Sequence, residues 1–338
     1  MSPRASTAPG LAVVLGQIPL RRLRNRMTPT GWFWARSIAE NGFMVKTIPC
    51  QSAEELLTNL SDLCEPSPDA GSFRDVWLFR GQADSRWRLI SSLERDSRLD
   101  PFWESEKVML DVFLSKAHLY SDLLRNGLGT VDVLSIMQHN GTPTRLLDWT
   151  YSPFVAAFFA AADEQAQPAD SGAVWAVNQS KVNWWSKHAY QTQFMHSKQC
   201  GVDLAFEIEE RRIDFANEEV FSALRLESNS KYLKGGFVVV LLPRFHNLRL
   251  VNQQGVFLAS CKLDMPFQNS LEQMLQDTEE PAILKFEFPG EIRKALVRKL
   301  MTANVHRGVL FPDLSGLCSF VRDHRILNPE GSINPINS

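Results

Sequence analysis

The chain is organised around residues 138–153, which read QHNGTPTRLLDWTYSP. This turn-rich stretch holds an imidazole, a guanidinium, a carboxylate, an indole and several hydroxyl groups, and no other segment of the sequence concentrates so much potential chemistry. Asn140-Gly141 is a typical helix end, and Ser152-Pro153 is the pattern of an N-cap followed by proline at the first helical position. The stretch is therefore predicted to lie between two helices and to form one wall of a site.

A second stretch places a single arginine at the end of a buried strand. Residues 75–80 read DVWLFR, a short and mostly apolar run that predicts a buried strand. A charge there must be paired or must face a cleft, because burying it alone is costly. Gly81 follows, and glycine lets the backbone approach a ligand or another chain segment closely. Arg80 is therefore expected to form the opposite wall of the site.

The rest of the sequence mixes helices and strands without strict alternation. Ser52 and Glu55 have the spacing of a capping box and start a helix that is predicted to reach about residue 64. Further helices are predicted over residues 102–125, 131–139, 153–162 and 290–303, and strands over residues 172–177, 237–242, 251–258 and 282–288. In the helix of residues 102–125, the side chains expected to face inward are Trp103, Val108, Val112, Phe113, Leu119 and Leu123. The pattern predicts an α+β fold, with a mixed or antiparallel sheet flanked by helices.

The composition is that of a globular chain without a strong overall charge. The 338 residues are 44% hydrophobic and 22% charged, and the formal net charge is -2, so no global field recruits nucleic acid or an anionic membrane. The longest apolar run is too short to span a membrane, and the basic residues near the N-terminus follow the apolar run there, unlike a secretory signal. A cytoplasmic protein without membrane partners is expected.

The sequence lacks several common motifs of metal-binding sites, phosphate-binding loops and catalytic nucleophiles. The five cysteines are odd in number and scattered, which suits reduced thiols, and no zinc-binding spacing occurs. The sequence contains no GxxxxGK[ST] phosphate loop, no strand followed by GxGxxG and no GxSxG elbow. No metal is predicted, and a cysteine-histidine nucleophile pair stays open.

Residues 44–330 are predicted to form a single domain, followed by a short tail over residues 331–338. Residues 1–43 are rich in proline, arginine and small residues and show no sustained period. Two interpretations are open for this extension. It is either a nucleic-acid-binding arm, or an irregular extension that results from a start codon upstream of Met27 or Met44. The arginines of the arm are Arg21, Arg22, Arg24 and Arg26.

The residue types in the two walls suggest roles. The guanidinium of Arg80 offers donors in a planar fork that suits phosphate or carboxylate, and His139 is a candidate proton carrier. Asp148 is a candidate to orient Arg80 or Arg145; alternatively, Arg145 and Asp148 form a buried lock that only pins the loop. Trp149 and Tyr151 either supply stacking faces or belong to the core.

Four motifs together resemble the FRG domain family, named for its Phe-Arg-Gly signature. They are Phe79-Arg80-Gly81-Gln82, most of residues 138–153, the pattern Arg249, Gln253, Gly255 and Phe257, and LFPDLSG at residues 310–316. The resemblance spans about residues 46–325. It supplies a family and a set of motifs more than an activity.

A second resemblance, to the ADP-ribosyltransferase superfamily, implies an activity. There an aromatic-Arg-Gly motif at a strand end binds NAD, a hydroxyl-rich strand precedes an Ala/Phe helix, and a catalytic glutamate opens a later strand. Phe79-Arg80-Gly81 is similar to the first motif, and residues 149–152 with the helix after them are similar to the second. Where the glutamate would stand, this chain has Gln253. Asp148, Glu287 and Asp313 are the candidates to supply the missing carboxylate.

These resemblances imply a nucleotide-binding domain whose ligand is NAD, acting in ADP-ribosyl transfer or NAD glycohydrolysis, as in a bacterial effector or toxin-like defence protein. The residues implied to bind the nucleotide are Arg80, Gly81, Arg145, Trp149, Thr150 and Ser152. The residues implied to act in catalysis are His139, Asp148 and Gln253. The alternative is a non-catalytic nucleic-acid-binding or protein-binding module, in which the motifs serve the fold.

Overall fold

The computed structural model describes residues 45–65, 76–120, 128–162, 170–194, 238–244, 247–276 and 281–327, and the isolated positions 236 and 278. The predicted extension of residues 1–43, with its four arginines, and the tail of residues 331–338 lie outside the described residues. None of the helices within the described residues combines the length and the apolar character that crossing a lipid bilayer requires.

The described strands form one seven-stranded sheet. They are β1 (Lys46–Pro49), β2 (Trp77–Gln82), β3 (Leu146–Thr150), β4 (Gly172–Asn178), β5 (Val238–Leu241), β6 (Gly255–Ser260) and β7 (Ile283–Phe288). Their order in the sheet is β1-β7-β4-β2-β3-β6-β5. The β1–β7 pair is parallel and the other pairs are antiparallel. The predicted α+β class with a mixed sheet is confirmed.

Helices flank this sheet, and we number those of the described residues in chain order. They are α1 (Ala53–Asp62), α2 (Ser92–Arg95), α3 (Phe102–Ala117), α4 (Thr130–His139), α5 (Pro153–Ala161), α6 (Gln179–Phe194), α7 (Leu248–Asn252), α8 (Phe267–Leu275), α9 (Arg293–Thr302), α10 (Arg307–Leu310) and α11 (Leu314–Leu327). Short 3-10 turns occupy Ser97–Leu99 and Gly290–Ile292.

The predicted helix ends are confirmed where they rest on local hydrogen bonds. The Ser52 hydroxyl accepts the Glu55 amide at 3.1 Å and begins α1. The Ser152 hydroxyl accepts the Val155 amide at 3.3 Å, with Pro153 as the first residue of α5. At the end of α4, Gly141 adopts a φ of 88°, a left-handed conformation that glycine tolerates and that stops the helix.

The prediction of one strand over residues 251–258 is wrong in its first half. Residues Leu248–Asn252 form the short helix α7, because the side chain of Asn247 accepts the Leu250 amide at 2.7 Å and caps it. Gln254 then turns the chain with a φ of 48°. The strand β6 starts only at Gly255, beside the end of β3.

The predicted inward face of α3 is also wrong. Val108, Val112 and Leu119 are exposed, whereas the buried residues of the helix are Glu106, Leu110 and Ala117. The buried face instead carries Glu106, whose carboxylate pairs with the buried Arg145, and exposing Glu106 would leave that guanidinium buried without a partner. Trp103 and Phe113 are partly buried as expected, and Leu123 lies outside the described residues.

The centre of the sheet brings the two predicted walls together. Strand β2, which carries Arg80, lies between β4 and β3, and Phe79 of β2 pairs with Thr150 of β3. On the other side of β3, Asp148 pairs with Phe257 of β6. Motifs that are far apart in the sequence therefore lie on three adjacent strands.

Helix α5 packs closely on β2 at Gly81. A Cβ atom at this position would lie 2.0 Å from the carbonyl oxygen of Ala156 and 2.6 Å from the amide nitrogen of Ala160. Both contacts are with backbone, so no side chain can move aside. The close approach predicted for Gly81 is thus made to another chain segment, and it sets the distance between α5 and the strand that carries Arg80.

Gly81→Ala is expected to destabilise the fold, because its methyl group would overlap the backbone of α5. We expect the free energy of unfolding to fall by about 1–3 kcal/mol, the usual range for overpacking, as measured by urea denaturation. Gly308→Ala is a matched control, since its new Cβ would lie 3.3 Å or more from the nearest atoms, which belong to side chains. Equal losses in the two variants would contradict this account of Gly81.

Candidate functional site

A cavity of about 890 Å³ opens where β2, β3 and the end of α4 meet. Its wall is completed by residues 83–95 and by the α7 segment. The polar and charged residues that line it are Arg80, Gln82, Arg86, Arg88, Arg95, Ser135, Gln138, His139, Asp148, Thr150, Asn247, Arg249 and Gln253. Five of these are arginines, and among the lining residues in the described part of the chain Asp148 is the only carboxylate. The cavity is therefore strongly cationic.

Arg80 joins the two predicted walls. Its Nη1 group donates to the backbone carbonyl oxygen of Asp148, and its buried Nε has no hydrogen-bond partner among the described residues. Burial lowers the pKa of Arg80, the Asp148 charge opposes this, and the Arg95 charge lowers the pKa further. Arginine stays protonated at neutral pH all the same. The guanidinium is thus a fixed cation in the cavity wall.

Asp148 is held by a chain of hydrogen bonds. It is the exposed residue of the otherwise buried strand β3. Its Oδ1 accepts from Gln138 Nε2 at 2.9 Å, and Gln138 Oε1 in turn accepts from the Thr144 hydroxyl. The carbonyl oxygen of Thr144 accepts from the Ser92 hydroxyl at 3.1 Å. This chain fixes one carboxylate oxygen and makes no hydrogen bond to Oδ2 within the described residues.

His139 and Gln253 reach the same cavity from two other elements. His139 is exposed at the end of α4. Gln253 follows α7, and its Nε2 donates to the carbonyl oxygen of Leu310 at 3.0 Å. Both residues therefore line the same cavity as Asp148, as the sequence predicts for a shared site. Their roles in catalysis stay a prediction.

The hydroxyl groups of the second motif serve the backbone. The Thr150 hydroxyl donates to the carbonyl oxygen of Gln253 at 2.7 Å and accepts the Ser152 amide at 2.9 Å. The Ser152 hydroxyl caps α5, and Ser152 is not part of the cavity wall. The contacts of Thr150 tie β3 to the α7 segment. Because the Ser152 hydroxyl caps α5 and lies outside the cavity wall, the structure does not place Ser152 where it was predicted to contact a bound anion.

The burial of Arg145 contradicts its predicted contact with a nucleotide. Its side chain is 1% exposed and pairs with Glu106, which is 2% exposed, through Nη2 and Oε2 at 2.5 Å. Arg145 Nε contacts both oxygens of that carboxylate, at 2.9 Å and 2.8 Å, and Nη1 donates to the carbonyl oxygen of Ser260. The open alternative of a buried lock is right in kind, but the carboxylate is Glu106 rather than Asp148.

The stacking face of the cavity comes from a residue that the sequence reasoning missed. Trp149 is only 3% exposed and belongs to the core, and Tyr151 packs partly buried against that core. Trp87 lines the cavity and is 47% exposed. It stands between Arg86 and Arg88 in the sequence, an alternation of basic and aromatic residues, and surfaces that bind single-stranded nucleic acid combine such side chains. That alternation is the signal that could have found it.

Four of the five arginines make no ion pair within the described residues. Arg80 donates to a carbonyl oxygen, Arg88 to the side-chain oxygen of Asn269 and Arg95 to the carbonyl oxygen of Ser91. Arg249 lies over the Phe311 ring, 4.6 Å from its centroid. Arg86 differs, because it pairs with Asp84 at 2.6 Å and Asp170 at 3.1 Å. The four unpaired cations make the cavity suitable for an anion.

Cysteine chemistry finds no support at this cavity. Burial raises the pKa of Cys50 to about 11 and that of Cys261 to about 12, and thiols with such high pKa values are poor nucleophiles. None of the described cysteines lines the cavity. In the same part of the chain, no three His, Cys, Asp or Glu residues group closely enough to hold a metal ion.

Residues 75–169 match the family model of the FRG domain. This segment of the chain is similar to the FRG domain. The matched segment runs from β2 through α5 and carries Arg80, Trp87, His139 and Asp148, so the FRG match covers most of the cavity wall. No curated protein and no solved structure matches the chain. The resemblance to the FRG family is confirmed, and the resemblance to ADP-ribosyltransferases stays a prediction.

Breaking the buried pair that holds this site should cost stability. Glu106→Ala leaves the guanidinium of Arg145 buried without its carboxylate, and we expect the free energy of unfolding to fall by about 3–5 kcal/mol in urea denaturation. Arg98→Ala, which breaks the exposed pair of Arg98 with Asp96, is the control and should change little. A small effect of Glu106→Ala would show that the pair does not hold the loop.

Proposed function

We propose that the cavity of this FRG domain binds a nucleotide, with NAD as the first candidate, and that it cleaves the bond between nicotinamide and ribose. One observation carries the proposal: four arginines without ion pairs in the described residues and the exposed ring of Trp87 converge on one cavity of about 890 Å³. Guanidinium groups match the geometry of phosphate oxygens, and an indole stacks on a base. The volume is within the usual range for small-molecule sites.

The residues available for this binding differ from those that the family resemblances imply. Arg145 and Ser152 serve the fold, so the pyrophosphate falls to Arg80, which lines the cavity. Trp87 replaces Trp149 as the stacking ring. Gly81 lines the cavity, and its close contact with α5 holds the strand of Arg80 in place.

Asp148 is the carboxylate that we assign to the reaction. Of the three candidates, Glu287 pairs with Lys285 at 2.5 Å and Asp313 accepts the Gly316 amide at 2.7 Å. Neither of them lines the cavity, whereas Asp148 does. Its negative charge would stabilise the cationic, oxocarbenium-like ribose of the transition state.

The proposed step balances without a further reactant besides the acceptor. The bond between ribose C1′ and the nicotinamide nitrogen breaks, and both electrons of that bond go to the ring nitrogen, which becomes neutral. An oxygen of the acceptor forms the new bond to C1′ and gives up its proton, for which His139 and Asp148 are the nearby bases in the cavity wall. With water as acceptor the reaction is glycohydrolysis, and with a macromolecule it is ADP-ribosyl transfer.

The same features also favour an alternative, the binding of single-stranded nucleic acid. Arg86-Trp87-Arg88 places an exposed ring between two basic side chains, and such surfaces bind successive bases and phosphates. Here the FRG motifs would serve the fold and no bond would be cleaved. An affinity that rises with oligonucleotide length and falls steeply with salt would favour this alternative.

Arg80→Gln should weaken NAD binding by about 10- to 100-fold, because a hydrogen bond to a charged group contributes roughly 1.5–3 kcal/mol. The measurement is isothermal titration calorimetry, with circular dichroism to check that the variant is folded. Arg98→Gln removes an arginine that pairs with Asp96 outside the cavity and should bind like the wild type. Failure of the wild type to bind NAD at millimolar concentration would contradict the proposed ligand.

Asp148→Asn should keep NAD binding and lose turnover by about 100-fold or more. Asparagine still accepts the hydrogen bond from Gln138 but has no negative charge. Release of free nicotinamide, followed by chromatography, measures the reaction. Asp264→Asn, which changes an exposed carboxylate outside the cavity wall, is the control. Unchanged nicotinamide release by Asp148→Asn would rule out the assigned role.

A further inference from the structure

The cavity carries more positive charge than NAD balances. Four arginines without ion pairs in the described residues face it, against the single carboxylate Asp148. The pyrophosphate of NAD brings two negative charges, and its pyridinium ring brings one positive charge. A ligand of that charge would leave several guanidinium groups in the cavity without an anionic partner, so a ligand with more negative charge would be attracted more strongly.

Two of the cavity arginines, Arg95 and Arg249, belong to short helices that contact neighbouring elements. Arg95 ends helix α2, which begins with a capping box between Ser91 and Glu94. The Leu93 amide of that helix donates to the carbonyl oxygen of Thr144 at 3.1 Å, which fixes α2 to the loop before β3. Arg249 belongs to α7, where its guanidinium lies over the Phe311 ring.

Arg95 and Arg249 are the arginines with the weakest internal ties. Arg95 is exposed and makes one long hydrogen bond of 3.4 Å to a carbonyl oxygen, and Arg249 has a ring contact. Arg80, in contrast, bonds to the carbonyl oxygen of Asp148. Arg80 and Arg95 both line the cavity, and the Arg95 charge lowers the pKa of Arg80, so the two cations repel each other. An anion between them would relieve this repulsion.

We infer that the cavity takes a nucleotide that carries a phosphate group beyond the pyrophosphate, and that Arg95 and Arg249 bind this additional group. The inference rests on the proposed function, because it names the class of nucleotide that the same site prefers. Two kinds of ligand share this chemistry: a dinucleotide with a phosphorylated ribose, such as NADP, and a nucleoside triphosphate. In either case the additional group brings negative charge to a cavity wall in which cations are in excess.

The test compares four ligands on the full chain at one ionic strength: NAD, NADP, ADP and ATP. Isothermal titration calorimetry should show that NADP binds about tenfold or more tightly than NAD, or ATP than ADP. A preference confined to NADP identifies the ribose phosphate, and one confined to ATP identifies the polyphosphate chain. The preference should shrink as salt is raised, because screening weakens the contact of partly exposed charges.

Two variants connect the preference to its residues. Arg95→Gln and Arg249→Gln should each reduce the preference while changing NAD affinity much less, and circular dichroism checks that they are folded. Arg98→Gln, outside the cavity, should keep the full preference. A preference that persists unchanged in both cavity variants would overturn the assignment to these residues.

The outcomes separate this inference from the proposed function. Equal binding of NAD and NADP, together with equal binding of ADP and ATP, would overturn the inference and leave nucleotide binding intact. No binding of any of the four ligands would overturn both. Tighter binding of the ligand with the additional phosphate, lost in the two variants, is the result that supports it.

Discussion

The buried pair of Arg145 and Glu106 is the interaction on which the arrangement of the cavity depends. It joins α3 to the start of β3, and through the carbonyl oxygen of Ser260 it also reaches the end of β6. A pair of this kind is stable only when both charges are well bonded, because their desolvation is costly. The pair therefore fixes which face of α3 is buried and where the loop before β3 lies. Asp148, three residues further along, is thereby presented to the cavity.

The stretch of residues 138–153 divides into groups that hold the loop and groups that face the cavity. Thr144, Thr150 and Ser152 use their hydroxyl groups on backbone or neighbouring side chains. His139 and Asp148 are exposed to the cavity. The density of polar groups in this stretch thus has two causes. Some groups face the cavity, and others are needed because a turn-rich loop depends on side-chain hydrogen bonds to hold its shape. Only a minority of its polar groups is left for a ligand.

The sequence predicted correctly those features that depend on local interactions, above all the ends of helices. The caps of α1 and α5 and the end of α4 depend on residues within one helical turn, so Ser52, Ser152 and Gly141 identify them. The strand β1 has four residues and one buried side chain, too short for a periodic signal. The helix α7 has only five residues, and its apolar residues led to the wrong prediction of a strand.

The parts that could not be predicted depend on distant partners. Nothing near Arg145 in the sequence points to Glu106, so the choice between a ligand contact and a buried lock needed the fold. The arginines of the cavity come from β2, the segment after it, α2 and α7, and each is ordinary where it stands in the sequence. Their significance is a property of the charge they create together.

The contact of Gly81 with α5 has a consequence for how any ligand would be received. Backbone packed on backbone has no rotamers to lose, so the strand that carries Arg80 is preorganised and binding pays little conformational entropy there. The side chains of the other arginines in the cavity wall are different, because each has several torsion angles that must be fixed when a ligand binds. The strand of Arg80 is then the fixed part of the cavity wall. Discrimination between similar ligands depends on how many of the other arginine side chains each ligand can order.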